Sequence, residues 1–310
     1  MTKQIQLVPS ARPFLKWAGG KTQLLDEFNK RLPEELKSGE ITKYAEPFIG
    51  GGAFFFSLNQ KFSFEHCIIG DANEELILTY QVTKKSVRQL IDNLGILESE
   101  YLSKDEKNRE VLYYEVRDSF NRKLPEINFQ KFGTGWIERA TWIIFLNHTC
   151  YNGLFRVNRR GEFNVPFGKY KNPKILNEDN LHDVASLLKT TRIILGDFTR
   201  CSKFVDDTCF VYFDPPYRPL NRTSSFTSYS KNGFFDTDQV RLVEFFKELD
   251  KKGAKIMLSN SDPRNEDPAD TFFDDHFSDY SIERVPAKRM INSNGDRRGQ
   301  INELIITNYR

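Results

Sequence analysis

Residues 208–217 read TCFVYFDPPY. The apolar run at 209–213 reads as a strand that ends in a turn. Two prolines then stop the strand and stiffen the turn. Asp214, the carbonyls of Pro215 and Pro216, and the aromatic face of Tyr217 are thereby delivered to the carboxyl end of that sheet. Open α/β folds bind their ligands at this end.

Working outward, the chain alternates on both sides of a more helical middle. In residues 10–80, TQLLDEFNKRLP has helical spacing and stops at Pro33. KYAEPFIGGGAFFFSL predicts a strand, a glycine turn and a helix, and FEHCIIGDANEELILTYQVTK a strand ending at Asp71 and a helix. VRQLIDNLGILESEYL, EVLYYEVRDSFNRKL and WIERATWIIFLNHTCY all fit helices. Beyond residue 185, TRIILGDF, AKIMLSNSD and INELIITNY predict further strands, and DTDQVRLVEFFKELDKKG an amphipathic helix. This pattern predicts one α/β domain formed by residues 1–80 and 185–310, interrupted by a helical module at 81–184.

Bulk composition excludes several classes. A net charge of +2 over 310 residues rules out a uniformly basic coat, though not a local basic patch. One such patch is present: residues 151–174 carry six basic side chains (Arg156, Arg159, Arg160, Lys169, Lys171, Lys174) against one acid, Glu162. The four cysteines form no C-x-x-C pair and the four histidines are scattered, so neither a metal site nor a disulfide framework is expected. The first residues, MTKQIQLVPS, lack the apolar core of a secretory signal, and no apolar run reaches bilayer length. A cytoplasmic protein with reduced thiols is expected.

Two glycine-bearing stretches suggest anion or nucleotide contacts. Gly20-Lys21-Thr22 matches the end of a phosphate loop, but Leu15 stands where the first glycine of G-x-x-x-x-G-K-[ST] belongs. A nucleotide hydrolase, a plain helix start, and a carboxylate or phosphate site at a helix start all remain open on this segment. The second stretch is Phe48-Ile49-Gly50-Gly51-Gly52, a turn that lets backbone approach a nucleotide-like ligand. About twenty residues on, Asp71 ends the next strand, where an acid can bind ribose hydroxyls. Phe54, Phe55 and Phe56 follow the turn in place of G-x-G-x-x-G, which disfavours a dinucleotide.

The Asp214–Tyr217 turn suits methylation of an exocyclic amine. The adenine amino nitrogen is a poor nucleophile because its lone pair is delocalised into the ring. Hydrogen bonds from that amine to Asp214 and to a proline carbonyl would draw the nitrogen towards sp3 geometry. Tyr217 would stack on the base and hold it in line with an electrophilic methyl group, and positioning of this kind supplies much of a rate.

With these residues in view, the chain resembles the Dam-like, class D12 DNA adenine-N6 methyltransferases. The resemblance is carried by FLKWAGGKTQLL, EPFIGGGAFFF, DANEEL, FLNHTCYNGLFRVNRRGEFNVPFGKYKNP, GDF, VYFDPPYRPL, FTSY, LSNSD and NELIITNY, in that order and nearly end to end. It implies a Rossmann-like sheet of seven strands, one of them antiparallel, with an inserted helical target-recognition domain at 81–184 and a hairpin at 151–170. It also implies S-adenosylmethionine as the donor. Trp17 and Lys21 would hold its methionine end, with Lys21 near the carboxylate. Asp71 would bind the ribose, Phe48, Gly50 and Gly52 would line the pocket, and Asp197 and Phe198 would meet the adenine. Asp214 would act on the target amine close to the donor.

The partner implied is double-stranded DNA, read by a mostly monomeric enzyme with no metal and no membrane association; a cognate restriction endonuclease is a further possible partner. Arg156 would contact a guanine in the major groove. Tyr151, Asn152 and Leu154 match positions that enter or brace the duplex, Pro166 and Tyr170 match further base contacts, and Lys16 matches a lysine that reads an outer base. Arg297 and Arg298, in KRMINSNGDRRG, would contact phosphates. Lys169 stands where an arginine is common, and the two are not equivalent at a bidentate contact. GATC is the expected target, because Tyr-Asn-Gly-Leu-x-Arg and Asn-Val-Pro-Phe-Gly are kept together; another adenine-containing site is the alternative.

Overall fold

The structure, a computed structural model, describes residues 10–218, 234–288 and 300–310. After a 3-10 turn at Thr22–Leu24 come α1 (Leu25–Lys30), α2 (Glu34–Ser38), β1 (Lys43–Glu46), α3 (Ala53–Asn59) and β2 (His66–Asp71). The helical middle contains α4 (Glu74–Leu102), α5 (Glu106–Arg122), α6 (Thr134–Thr149) and α7 (Glu178–Leu188). The chain then runs through β3 (Thr191–Leu195), β4 (Cys209–Phe213), α8 (Asp236–Lys251), β5 (Lys255–Ser261), α9 (Phe272–His276), β6 (Ser281–Lys288) and β7 (Gln300–Thr307).

The strands form a seven-stranded sheet in the order β3-β2-β1-β4-β5-β7-β6. β1 pairs parallel with β2 and β4, and β4 with β5. β7 runs antiparallel to both β5 and β6. This is the α/β, Rossmann-like methyltransferase sheet expected from the sequence, with its one reversed strand. β4, the run quoted first, is buried at every position, as a central parallel strand should be. Residue patterning did not predict β6, because Pro286 interrupts SIERVPAK. The sheet order explains the tolerance: β6 is an edge strand, where a missing N–H need not break a ladder.

The chain separates into two compact units. One contains the residues up to Gly20, Gly50–Lys61 and Asp71–Leu195. Here the 29 residues of α4 are broken at Ser86, which leaves helical geometry (φ −141°, ψ 37°), so that a helix lies on either side of it, as the sequence pattern suggests. The core of this unit contains a buried ion pair. Arg139 of α6, 1% exposed, grips Glu75 of α4 through Nε (2.7 and 3.0 Å) and Nη2, and donates from Nη1 to the Phe120 carbonyl of α5 (2.9 Å). Its guanidinium lies 3.9 Å from the centre of the Phe120 ring. Three helices are thus tied by one side chain.

The second unit contains Lys21–Ile49, Phe62–Gly70 and Gly196–Arg310. Its core is aromatic. Phe213 packs on Phe245 and Phe246 of α8, Phe246 on Phe277 and Tyr280, and Phe28 on Tyr212. All four cysteines are buried and unbridged. No helix among the described residues is long and apolar enough to cross a membrane.

Candidate active site

The end of β4 and the turn after it anchor a chain of polar contacts. Lys21 Nζ lies 2.7 Å from Asp214 Oδ1 and donates to the Tyr217 hydroxyl (3.1 Å). That hydroxyl donates to Glu303 Oε1 of β7 (2.7 Å). Ser259 of β5 donates to Asp214 Oδ1 (3.3 Å), and its Oγ lies 2.8 Å from the Tyr212 hydroxyl. At the backbone, Gln239 of α8 donates to the Pro216 carbonyl (3.1 Å) and so holds the turn from behind. Every member of this cluster belongs to the second unit.

The electrostatics follow from burial. Loss of solvent alone would lower the Lys21 pKa, but Asp214, then Tyr217 and Glu303, outweigh it, so the ammonium is held more firmly protonated than an ordinary lysine. Burial pushes the Asp214 carboxyl up, with Lys21 and Ser259 opposing. Burial also raises Tyr217 and Glu303. The Tyr217 hydroxyl is enclosed between Lys21 and Glu303, while the residue as a whole is 41% exposed. The ring is therefore the accessible part, and Lys21 Nζ sits 4.5 Å from its centroid.

Three other expected residues lie in the same unit. Phe48 stacks on Phe198 (5.4 Å, 29°), and Asp197 caps the following turn by accepting from Thr199 while pairing with Arg241 (3.0 Å). The other unit holds Trp17, Gly50, Gly52 and Asp71. Gly50 is required twice over: its φ is +47°, and a Cβ there would lie 3.0 Å from Trp17 Cδ1. Trp17 stacks in turn on Phe155 (5.5 Å, 20°). Asp71 accepts from the Gly50 and Asn73 N–H groups (3.2 and 2.8 Å), and burial pushes its carboxyl up to about 6 against those bonds.

In the basic segment two antiparallel bridges join Cys150 to Phe167 and Val157 to Phe163. Val157 bridges Phe163 across a turn closed by Gly161 N–H to the Asn158 carbonyl (2.9 Å). Alternation leaves Arg156, Asn164 and Pro166 outward and Phe155, Phe163, Val165 and Phe167 inward. Asn164 fixes Arg156, accepting from Nε at Oδ1 (2.8 Å) and from Nη2 at its carbonyl (3.2 Å). Tyr151, 55% exposed, is joined to the hairpin by its N–H to the Pro166 carbonyl (2.8 Å). Asn152 adopts the left-handed region (φ 56°), and Leu154 is half-buried. Lys16 is placed beside them by buried Asn147, which clamps both its N–H (2.7 Å) and its carbonyl (2.8 Å) and also binds the Gly153 carbonyl (3.0 Å). Lys16 Nζ lies over the Tyr170 ring at 4.9 Å. Arg297 and Arg298 lie outside the described residues.

The family model for D12 class N6 adenine-specific DNA methyltransferases matches residues 17–291. The chain belongs to this family. It is 54% identical to the type II methyltransferase M.MjaIII of Methanocaldococcus jannaschii, over 96% of this chain and 99% of that one. It is 38% identical to the type II methyltransferase M1.LlaDCHI of Lactococcus lactis subsp. cremoris, over 96% and 95%. It is 33% identical to the DNA adenine methylase of Escherichia coli K12, over 95% and 94%. Methylation of adenine in DNA is therefore the activity of this D12 enzyme.

Four residues of the two sites escaped sequence reasoning: Ser259, Glu303, Gln239 and Asn147. The first two lie within segments that carry the family resemblance, LSNSD and NELIITNY. Glu303 had a signal of its own, a charged residue inside an otherwise apolar strand.

Proposed function

We propose that this enzyme transfers the methyl group of S-adenosylmethionine to N6 of an adenine extruded from duplex DNA, within GATC. The observation that carries the reading is Asp214, held by Lys21 and Ser259 at the end of β4 beside the exposed ring of Tyr217. The donor supplies an electrophilic methyl group on a sulfonium. Asp214 accepts one N6 hydrogen. Because Gln239 already engages the Pro216 carbonyl, we assign the second hydrogen to Pro215. Tyr217 stacks on the base, which must leave the duplex because its amine cannot be reached in line inside the stack. The amine sheds its proton only after becoming cationic, so Asp214 acts by positioning and by stabilising that cation rather than as a strong base.

The residues present suit the donor. The bare glycine turn beside Asp71 offers a carboxylate to ribose hydroxyls, the Phe48–Phe198 pair and Asp197 offer flat and polar contacts to adenine, and Trp17 and Lys21 remain assigned to the methionine end. Asp71 is ionised only above about 6. Donor affinity is therefore expected to fall as pH drops through that value, by about fourfold between pH 7.5 and 5.5. Calorimetric titration at the two pH values checks this, with Asp71→Asn expected to show no such dependence; an unchanged wild-type affinity would remove Asp71 from ribose binding. The same titration with Mg-ATP is expected to show no binding, which sets aside the hydrolase reading of Gly20-Lys21-Thr22.

On the DNA side we assign target recognition to residues 81–184 and catalysis to 1–80 and 185–310. Lys16, Tyr151, Asn152, Leu154, Arg156, Pro166 and Tyr170 would face the duplex, and Arg297 and Arg298 its phosphates. Arg156→Ala is expected to relax discrimination at one guanine by about 1–3 kcal/mol. Methylation rates on duplexes substituted at each position check this; uniform weakening on all of them would make Arg156 a phosphate contact. Sequencing for N6-methyladenine after expression in an unmethylated host tests GATC directly. The type II names of two relatives favour a companion restriction endonuclease, which the neighbouring genes would reveal.

A further inference from the structure

Glu303 plays no part in the reading above, yet it is placed with care. It is 3% exposed in β7, followed by the buried Leu304, Ile305 and Ile306, and its strand partner is Ser261 of β5. A carboxylate so sited is unfavourable unless its hydrogen bonds are made. Oε1 accepts from the Tyr217 hydroxyl at 2.7 Å, while Oε2 is buried with no hydrogen-bond partner among the described residues. Among the described residues, the carboxylate thus makes its one side-chain hydrogen bond to Tyr217.

Tyr217 is consequently held at both ends. Its backbone belongs to the turn that Gln239 grips at the Pro216 carbonyl. Its hydroxyl is caught from two sides, receiving from Lys21 at 3.1 Å and giving to Glu303 at 2.7 Å. A phenol with one donor and one acceptor in place has little freedom to swing, although its ring is substantially open. Lys21 cannot hold the ring by itself, since the same ammonium is shared with Asp214.

We propose that Glu303 is a positioning residue that fixes the plane of the Tyr217 ring for stacking on the extruded adenine. This rests on the assignment of Tyr217 as the stacking residue. Glu303 acts as an acceptor, not through its charge, because any group that takes the hydroxyl hydrogen at that point pins the ring.

The test is single-turnover methyl transfer to a short GATC duplex by the full-length enzyme carrying E303M, E303Q, Y217F, Y217A or E303M/Y217F. Methionine suits the apolar strand, so E303M should fold, which its melting curve verifies. E303M is expected to slow transfer about tenfold with donor affinity unchanged. E303Q keeps a carbonyl acceptor and should restore most of the rate. Y217F removes the hydrogen that Glu303 accepts, so E303M added to Y217F should cost nothing more. A wild-type rate in E303M, no rescue by E303Q, or a full additive loss in the double variant would overturn the assignment of Glu303. If Y217A itself transfers normally, the stacking role of Tyr217 fails and the proposal with it; slow Y217A beside unimpaired E303M rejects Glu303 alone.

Discussion

Asp214→Ala is expected to slow methyl transfer by about 10³-fold or more while leaving a folded protein. The carboxylate is asked to do two things that nothing else in the cluster can do. In the mechanism we propose, it orients the amine by accepting a hydrogen bond from it, and it places a negative charge where the nitrogen becomes cationic. Glu303 lies behind Tyr217 and cannot substitute. The fold should survive because Lys21, though it loses the contact at 2.7 Å, keeps its bond to the Tyr217 hydroxyl and the charge of Glu303. Asp214→Asn preserves shape and separates geometry from charge: a similar loss in both variants assigns the effect to the charge. Rapid-quench transfer assays with circular dichroism and thermal melting decide the matter. Turnover near the wild-type rate in Asp214→Ala would remove the mechanism.

The largest expected effect on stability is at Arg139, in the helical unit. Truncation to alanine takes the guanidinium away from the buried Glu75 carboxylate and from the Phe120 carbonyl. Breaking a buried pair in this way costs about 3–5 kcal/mol. A melting temperature lower by roughly 10 °C is the corresponding observable. The pair itself is no great source of stability, because desolvation offsets most of its attraction. The double variant Arg139→Met with Glu75→Leu, which removes both charges and keeps the volume, is therefore expected to recover most of the loss. A double variant as unstable as Arg139→Ala would show that the guanidinium's seat on the Phe120 ring, rather than the stranded charge, is what matters.

Local chemistry made much of the fold readable. Prolines after an apolar run mark the end of β4, a glycine triplet marks a turn that tolerates no Cβ, and 3.6-residue spacing marks α5, α6 and α8. Where local rules conflicted, reading fell short. Pro286 concealed β6, whose edge position relaxes the rule against proline. The break at Ser86, by contrast, falls between the two helices that the residue spacing marks.

The sequence by itself determined the strand-and-turn units and the family, and it singled out the side chains to which we assign the chemistry: Asp214, Tyr217, Lys21, Asp71 and Arg156. The tertiary structure alone decided which of these side chains meet. Lys21 and Tyr217 are 196 residues apart, and Tyr217 and Glu303 are 86 apart. Their convergence depends on β4 lying between β1 and β5, with β7 reversed beside β5. That order is set by packing and hydrogen bonding over the whole sheet, and no local pattern encodes it. The partner of Lys21, the acceptor behind Tyr217 and the clamp on Pro216 are consequences of that order.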